Sequence, residues 1–424
     1  MSRTPRPGPE RAWEERVQRA AHPLVYPLLS RLGRPVQRIP RVGVVVTDAA
    51  LLRSVLLDTT SFTKTGPGSP ADLWTPVLGP SVLLNMEGAD HLALRRRLAP
   101  LFAPAYVDEL TRQTIGPATA RLTERLVAGE AVDLVAEVRE AAGQVISRLV
   151  GLEREGDGDG VPGGEELFAR VSAVTGFVRL SRPRFTPAQV RHAREVLDDL
   201  TRHARAAYRD ADPGPTAGTG PSADTRPSAD TVPAADTVPA RMRELGLSED
   251  EAMGAVGAFV LTGTETLVSY LPRMLAILAD TGWLERLAHD RSLLGPAIAE
   301  GLRVTTPSPV MLRSVAADAR VGRVAVRAGD RLVLATFLAN RRAGTGAALP
   351  FDPEANPAAD LKQLWFGAGA HFCLGAPLAM AQIGLVLNAV LDAEARAPLA
   401  VAARRAQRGT LIPGYSRLVL RARQ

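Results

Sequence analysis

The chain is nearly empty of thiols: 424 residues hold one cysteine, Cys373. A lone cysteine makes no intramolecular disulfide and no multi-cysteine zinc or iron–sulfur site, so it serves as a single thiolate or as a small buried hydrophobe. Lysine is almost as scarce. Of 51 basic residues only Lys64 and Lys362 are lysine; the others are arginine, spread along the chain instead of gathered in a basic tail. A net charge of +6 and a pI of about 10.0 would suit a polyanionic partner, but that scatter argues against a nucleic-acid surface, and no nucleic acid is expected. No targeting segment is evident. The opening residues are polar and proline-rich, and the apolar part of residues 22–33 is too short and too interrupted to span a bilayer. The expectation is a cytoplasmic, soluble protein without membrane insertion.

What is present reads mostly as helix. RVGVVVTD, residues 41–48, is β-branched and runs into DAALLRSVLLD, where Asp48 can cap a short amphipathic helix. Residues 320–340 alternate apolar and polar side chains around Ala328-Gly329-Asp330, which predicts a hairpin there. Thr186, Pro187 and Gln189 form a capping box that opens a helix towards Asp210. Ser248 and Glu251 repeat the device ahead of a long apolar stretch to about Leu278, whose middle holds Thr262, Gly263, Thr264, Glu265 and Thr266. Residues 222–239 carry three copies of a hexad, x-Ala-Asp-Thr-x-Pro. Proline at every sixth position builds neither helix nor core, so residues 212–238 are expected to form a flexible surface loop. Residues 153–166 look superficially like a calcium loop, but Val161 falls on a ligand position, which rejects calcium.

The cysteine stands in FGAGAHFCLG, residues 366–375, ahead of an apolar helix. A dinucleotide fingerprint would need a third glycine where Phe372 stands and a strand just before it, and PEANPAADLKQLW supplies no convincing one. A nucleophilic thiol would need a distant histidine and an orienting group, which spacing does not establish. A small hydrophobe in a turn is the commonest role of a lone cysteine.

The order Phe366, Gly367, Gly369, His371, Cys373, Gly375, Ala376, Pro377, Leu378, Ala379 resembles the haem-thiolate signature of the cytochrome P450 family in its soluble bacterial form. The resemblance implies that Cys373 is the proximal iron ligand of a b-type haem (iron protoporphyrin IX). Glycines at 367, 369 and 375 suit a main chain folded closely beneath a flat macrocycle, and the following helix directs its positive end at the anionic sulfur. Further motifs fall in family order. Glu300 and Arg303 in AEGLR match the ExxR pair that braces the proximal side. His91, Arg95, Arg313 and His371 match groups that meet the haem propionates. TGTET resembles the segment that crosses the open iron face, with Gly263 keeping the backbone close and Glu265 and Thr266 as acid and alcohol of a proton relay.

Two departures stand out. FDPEANP keeps Phe351 and Asp352 but has Ala355 where the family usually has arginine, so the third member of the Glu300–Arg303 network is absent or supplied elsewhere. Thr262 replaces the usual alanine or glycine, adding a hydroxyl and a methyl to the distal side. The resemblance covers residues 40–420, most weakly 150–240, and implies one domain over 1–424 with an N-terminal segment at 1–34. The implied fold is mainly α with a small β lobe from residues near 35–60 and 305–335.

The implied reaction inserts one oxygen atom from O2 into a small or medium organic substrate, of which a natural-product intermediate is favoured. Alternatives are oxidative bond or ring formation, peroxide-driven oxidation, or haem binding without turnover. By family position the substrate pocket would be lined from residues 66–84, 170–185, 260–266, 305–310 and 411–415, and would include Trp74, Thr262, Thr305, Val310 and Tyr415. No flavin or iron–sulfur motif is present, so electrons would come ultimately from NAD(P)H through a ferredoxin reductase and ferredoxin. Arg95, Arg96, Arg97, Arg341 and Arg342 are candidates to dock the acidic ferredoxin on a monomeric enzyme.

Overall fold

The structure, a computed structural model, describes residues 9–149, 151, 164–178, 184–211, 237–342, 349–410 and 412–423. Its axis is the helix Glu249–Thr281, 33 residues long and so about 50 Å from end to end. The expected capping box opens it: the Ser248 hydroxyl accepts from Glu251 N, and the Glu251 carboxylate accepts from Ser248 N at 2.9 Å. Gly282, in the left-handed region at φ 75°, ends it. Most side chains from Ala252 to Leu278 are buried, so the helix is apolar nearly all round because it runs through the interior. It and Ala376–Arg396 are long and apolar enough to cross a membrane by length and composition, but both pack inside the molecule.

Other helices enclose this axis. Pro187–Asp210 starts from the capping box of Thr186 and Gln189, as the sequence predicts. Leu294–Thr305 packs on the long helix at Gly301, where a β-carbon would lie 2.1 Å from Met274 Sδ and 2.8 Å from the Tyr270 hydroxyl, so the absence of a side chain makes room for these two. Ala376–Arg396 packs along Pro104–Val127, with Thr123 Oγ1 donating to Ala389 O at 2.9 Å. The first helix, Pro9–Ala21, is tied to the axis by a buried ion pair between Glu14 and Arg273.

The β lobe is a five-stranded sheet in the order Val36–Ile39, Gly43–Val46, Arg331–Leu334, Met311–Val315, Phe62–Thr63. Gly43–Val46 and Arg331–Leu334 are parallel; the other neighbours are antiparallel. Asp48 caps Ala49–Leu57 by accepting from Leu51 N, as expected. The expected hairpin around Ala328-Gly329-Asp330 does not form. The hairpin is Ala319–Val321 with Val324–Val326, turning at Gly322, φ 58°. Arg331–Leu334 leaves it to join the larger sheet, and residues 336–341 are helix, because the alternating apolar face is shared between two sheets.

Two sequence expectations lie largely outside the described residues. Of the loop at 212–238, only its end is described: Thr237 caps the helix Val238–Glu244, which already includes Val238. Of 153–166, only Gly164–Glu166 is described, as the first turn of a helix. The mainly α body with its small β lobe agrees with the expected fold.

Candidate active site

The cysteine loop is closed by its own backbone. Cys373 N donates to Phe366 O at 2.9 Å, and Gly367 (φ 85°) and Gly369 (φ 67°) take the left-handed conformations that fold the chain back. At Gly369 a β-carbon would also lie 3.2 Å from Leu56 O. Gly375 is the N-cap of Ala376–Arg396, and the N–H groups of Gly375 and Ala376 point at the sulfur. Cys373 opens on a cavity of about 340 Å³ and is otherwise enclosed by protein. Burial therefore raises its thiol pKa, against the pull of those two N–H groups, Arg95 and Lys64.

The opposite wall is the middle of the long helix, with Ala258, Phe259, Thr262, Gly263, Thr266 and Leu267. A β-carbon on Gly263 would meet no heavy atom within 4 Å, so the backbone there opens directly on the cavity. Thr262 Oγ1 donates back to Ala258 O at 2.7 Å, and Thr266 Oγ1 reaches Thr262 O at a long 3.4 Å. Glu265 does not line the cavity. Its carboxylate accepts from Thr175 Oγ1 at 2.8 Å, on the helix Gly164–Thr175.

One edge of the cavity is a cluster of basic groups. His91 and Arg95, one turn apart on the helix Gly88–Leu98, line it together with His371 and Lys64. The His91 and His371 rings lie 4.2 Å apart between centroids. His371 Nε2 is 2.9 Å from Glu87 Oε2, which leaves its buried Nδ1 without a partner. Arg313 is buried behind them and donates to Leu312 O; burial lowers its pKa to about 10. Burial, then the neighbouring His371, Lys64 and Arg95, depress His91 to about 4. Burial alone would raise the Glu87 carboxyl, but hydrogen bonds from His371 and Lys64 N outweigh it and hold it below its ordinary value.

The Glu300–Arg303 pair lies beneath, with both side chains fully buried. Arg303 donates to both Glu300 oxygens at 2.8 and 2.7 Å and to Pro350 O at 2.6 Å. The place of the missing arginine is taken by backbone: Ala358 N and Asp352 N donate to Glu300 at 2.9 and 3.2 Å, while Ala355 itself is exposed. The pair thus fixes the 350–358 segment that leads into the cysteine loop.

Of the five residues assigned to a substrate pocket, Thr262 lines the cavity. Trp74 packs edge-on against Phe185 at 5.3 Å, Thr305 is buried with its hydroxyl on Gly301 O, and Val310 packs in the smaller core under the sheet. Tyr415 is core, at the start of a strand. The cavity's apolar wall comes from Leu83, Leu84, Phe259, Pro307 and Met311, with Ser308 as a hydroxyl. Leu83, Leu84, Pro307 and Ser308 lie within segments expected to line a pocket, whereas Lys64 and Glu87 carried no motif. Lysine's rarity was the only signal for Lys64.

The five arginines suggested for docking do not form one surface. Arg95 faces the cavity, Arg97 pairs with Glu251, Arg341 reaches Gln18, and Arg342 donates to Leu32 O and Ser30 O. Only Arg96 of the five is exposed. Sequence spacing could not reveal that four of them are drawn into the fold.

A single sulfur flanked by N–H groups, a glycine-faced wall opposite it and a cationic edge with an unpartnered imidazole nitrogen suit a flat iron macrocycle bearing acidic side chains. Cys373 would ligate its iron, and His91, Arg95 and His371 would face its carboxylates.

No family model matches the chain. It is 28% identical over 369 residues to the C-19 steroid 1alpha-hydroxylase of Sorangium cellulosum, covering 85% of this chain and 86% of that one. It is 27% identical over 378 residues to the erythromycin C-12 hydroxylase of Saccharopolyspora erythraea, covering 86% of each. Among solved structures it resembles P450BioI in complex with an acyl carrier protein ligated to hexadec-9Z-enoic acid, with a TM-score of 0.75 at 18% identity over 96% of this chain and all of that one. A mutant of P450 EryK in complex with erythromycin B gives a TM-score of 0.69 at 23% identity, covering 97% and 96%.

Proposed function

We propose that the chain is a cytochrome P450 monooxygenase that hydroxylates a largely apolar natural-product intermediate, with electrons from a ferredoxin. One observation carries the reading: the only thiol of the chain opens on a cavity whose opposite wall is Gly263 and Thr266 of the long helix. Bound b-type haem supplies the iron at which O2 is activated, one oxygen atom going to substrate and the other to water with two protons and two electrons.

The chain's own residues supply the environment for that chemistry. Cys373, presented by the Gly375 and Ala376 N–H groups, would hold the haem iron through its sulfur. Thr266 Oγ1, only weakly held by Thr262 O, is free to turn and pass a proton into the cavity. Glu265, held by Thr175, is the acid that recharges it when its carboxyl swings inward. Apolar side chains at Leu83, Leu84, Phe259 and Met311 exclude water, which suits an uncharged substrate held by shape. The relatives' names, a steroid and erythromycin, support a bulky substrate. We place the enzyme in the cytoplasm, as a single domain and a monomer, with reducing equivalents from NAD(P)H.

The carbon monoxide difference spectrum of the reduced protein tests the site. Thiolate ligation is expected to give the red-shifted Soret band in the native protein, and none after Cys373→Ala. A histidine-type band in the native protein refutes the reading. Labelled O2 then tests the reaction: one labelled atom in the product supports hydroxylation, and none refutes it. Turnover with ferredoxin that ignores ionic strength would remove electrostatic docking from the account.

A further inference from the structure

Lys64 is one of two lysines in an arginine-rich chain, and its side chain lines the cavity beside His91, Arg95 and His371. Its backbone is pinned at both poles. Lys64 N donates to Glu87 Oε1 at 2.5 Å, and Lys64 O accepts from the Ser69 hydroxyl and from Ala71 N. The turn that follows is equally constrained: a β-carbon on Gly66 would lie 2.5 Å from Ser314 Oγ, and Gly68 takes φ 70°. The side chain therefore has one way to go, into the cavity. Among the described residues its ammonium group forms no hydrogen bond or ion pair. A cation so enclosed is strongly destabilised unless an anion joins it.

We propose that Lys64 is a haem-carboxylate ligand, a third full cation beside Arg95 and Arg313 at the propionate edge. The charge balance supports this. Leaving the imidazoles out of the count, a charged Lys64 makes three cations at this edge, with Arg95 and Arg313, against one carboxylate, Glu87, a formal excess of two. That excess matches two carboxylates, while the Cys373 sulfur answers to the iron. Burial and Arg313 lower the Lys64 pKa to about 7, and the arrival of carboxylates restores its charge. A carboxylate on the substrate is the other possible source of the anion, and the test separates the two.

The proposal rests on the haem reading, and its test reads cofactor retention in the purified holoenzyme. Haem transfer to excess apomyoglobin is followed for the native enzyme, Lys64→Met and Lys64→Arg, each first checked for the thiolate carbon monoxide band. Lys64→Met is expected to lose haem about ten- to a hundredfold faster, the factor contributed by one charge-assisted hydrogen bond. Lys64→Arg should stay within about threefold of the native rate. The native protein and Lys64→Met are then compared after loading with haem dimethyl ester, which has no carboxylates, and the ratio of their rates should collapse to about one. Unchanged retention in Lys64→Met overturns the proposal. So does a ratio that survives esterification, which would assign Lys64 to packing or to a substrate carboxylate. If Lys64→Met does not fold, Lys64→Gln carries the same comparison. Absence of the thiolate band from the native enzyme overturns the haem reading instead.

Discussion

Removing the Glu300 carboxylate should unseat the cysteine loop before it unfolds the helices. Both members of the Glu300–Arg303 pair are fully buried, so Glu300→Ala strands a guanidinium in the interior, a change that costs about 3–5 kcal/mol. It also orphans Asp352 N and Ala358 N, each worth about 1–3 kcal/mol when left buried and unpaired. These terms overlap, so about 4 kcal/mol is a fair lower figure. Against a typical stability of about 5–15 kcal/mol, that is a large fraction. The two amides belong to the 350–358 segment that feeds the cysteine loop, so the loss should fall there first. Urea titration followed by circular dichroism and by the carbon monoxide band should show the band failing at lower denaturant than helicity in Glu300→Ala, and together with it in the native protein. Ala355→Arg, which restores the family's missing arginine, should change stability by no more than about 0.5 kcal/mol, because Ala355 is exposed and backbone already fills the Glu300 acceptor sites. An alanine at 300 that stays within about 1 kcal/mol of native, or marked stabilisation by Ala355→Arg, would refute the account of this network.

Three further outcomes can be measured. Thr266→Val should consume reducing equivalents while forming roughly a hundredth or less of the native product per turnover, and Glu265→Gln should slow turnover with an altered solvent isotope effect; coupled, native-like turnover in both would remove the relay. Thr175→Val frees the Glu265 carboxylate and should change that isotope effect without changing the binding spectrum of a substrate. Asp330 is held at about pKa 2, mainly by its hydrogen bonds with Arg38 and with Arg327 N, below its unfolded value of 3.8. Its contribution is therefore complete above about pH 4 and lost as pH falls towards 2; with Arg38 half exposed it amounts to less than about 1 kcal/mol, and Asp330→Asn should flatten that part of the acid unfolding curve.

The parts of the fold that could be read from sequence are those fixed by neighbours in the chain. The capping boxes at Thr186 and Ser248 satisfy helix-end N–H groups with residues three positions away, and both helices start where those residues stand. Asp48 works in the same way. The hairpin at 320–340 was misread because alternation gives a strand's faces but not its partner. Arg331–Leu334 pairs with residues almost 300 positions earlier, and only the completed sheet reveals it.

At the site the same division separates motif from environment. The cysteine loop was legible because its glycines are demanded locally, at Gly367 and Gly369, by backbone angles that other residues rarely adopt. Glu300 and Arg303 were visible as a pair, but their buried state and the two amides that complete it depend on a segment some 50 residues away. Arg95 and Arg97 make the point most sharply. They stand two positions apart in one basic run, yet Arg95 faces the cavity and Arg97 is spent on the capping Glu251 of the long helix. On a helix, two residues apart means opposite faces, so a run of arginines cannot form a docking surface and a cofactor edge with the same members. An electron donor must therefore find its charge partners beyond that run, with Arg96 as its one exposed member.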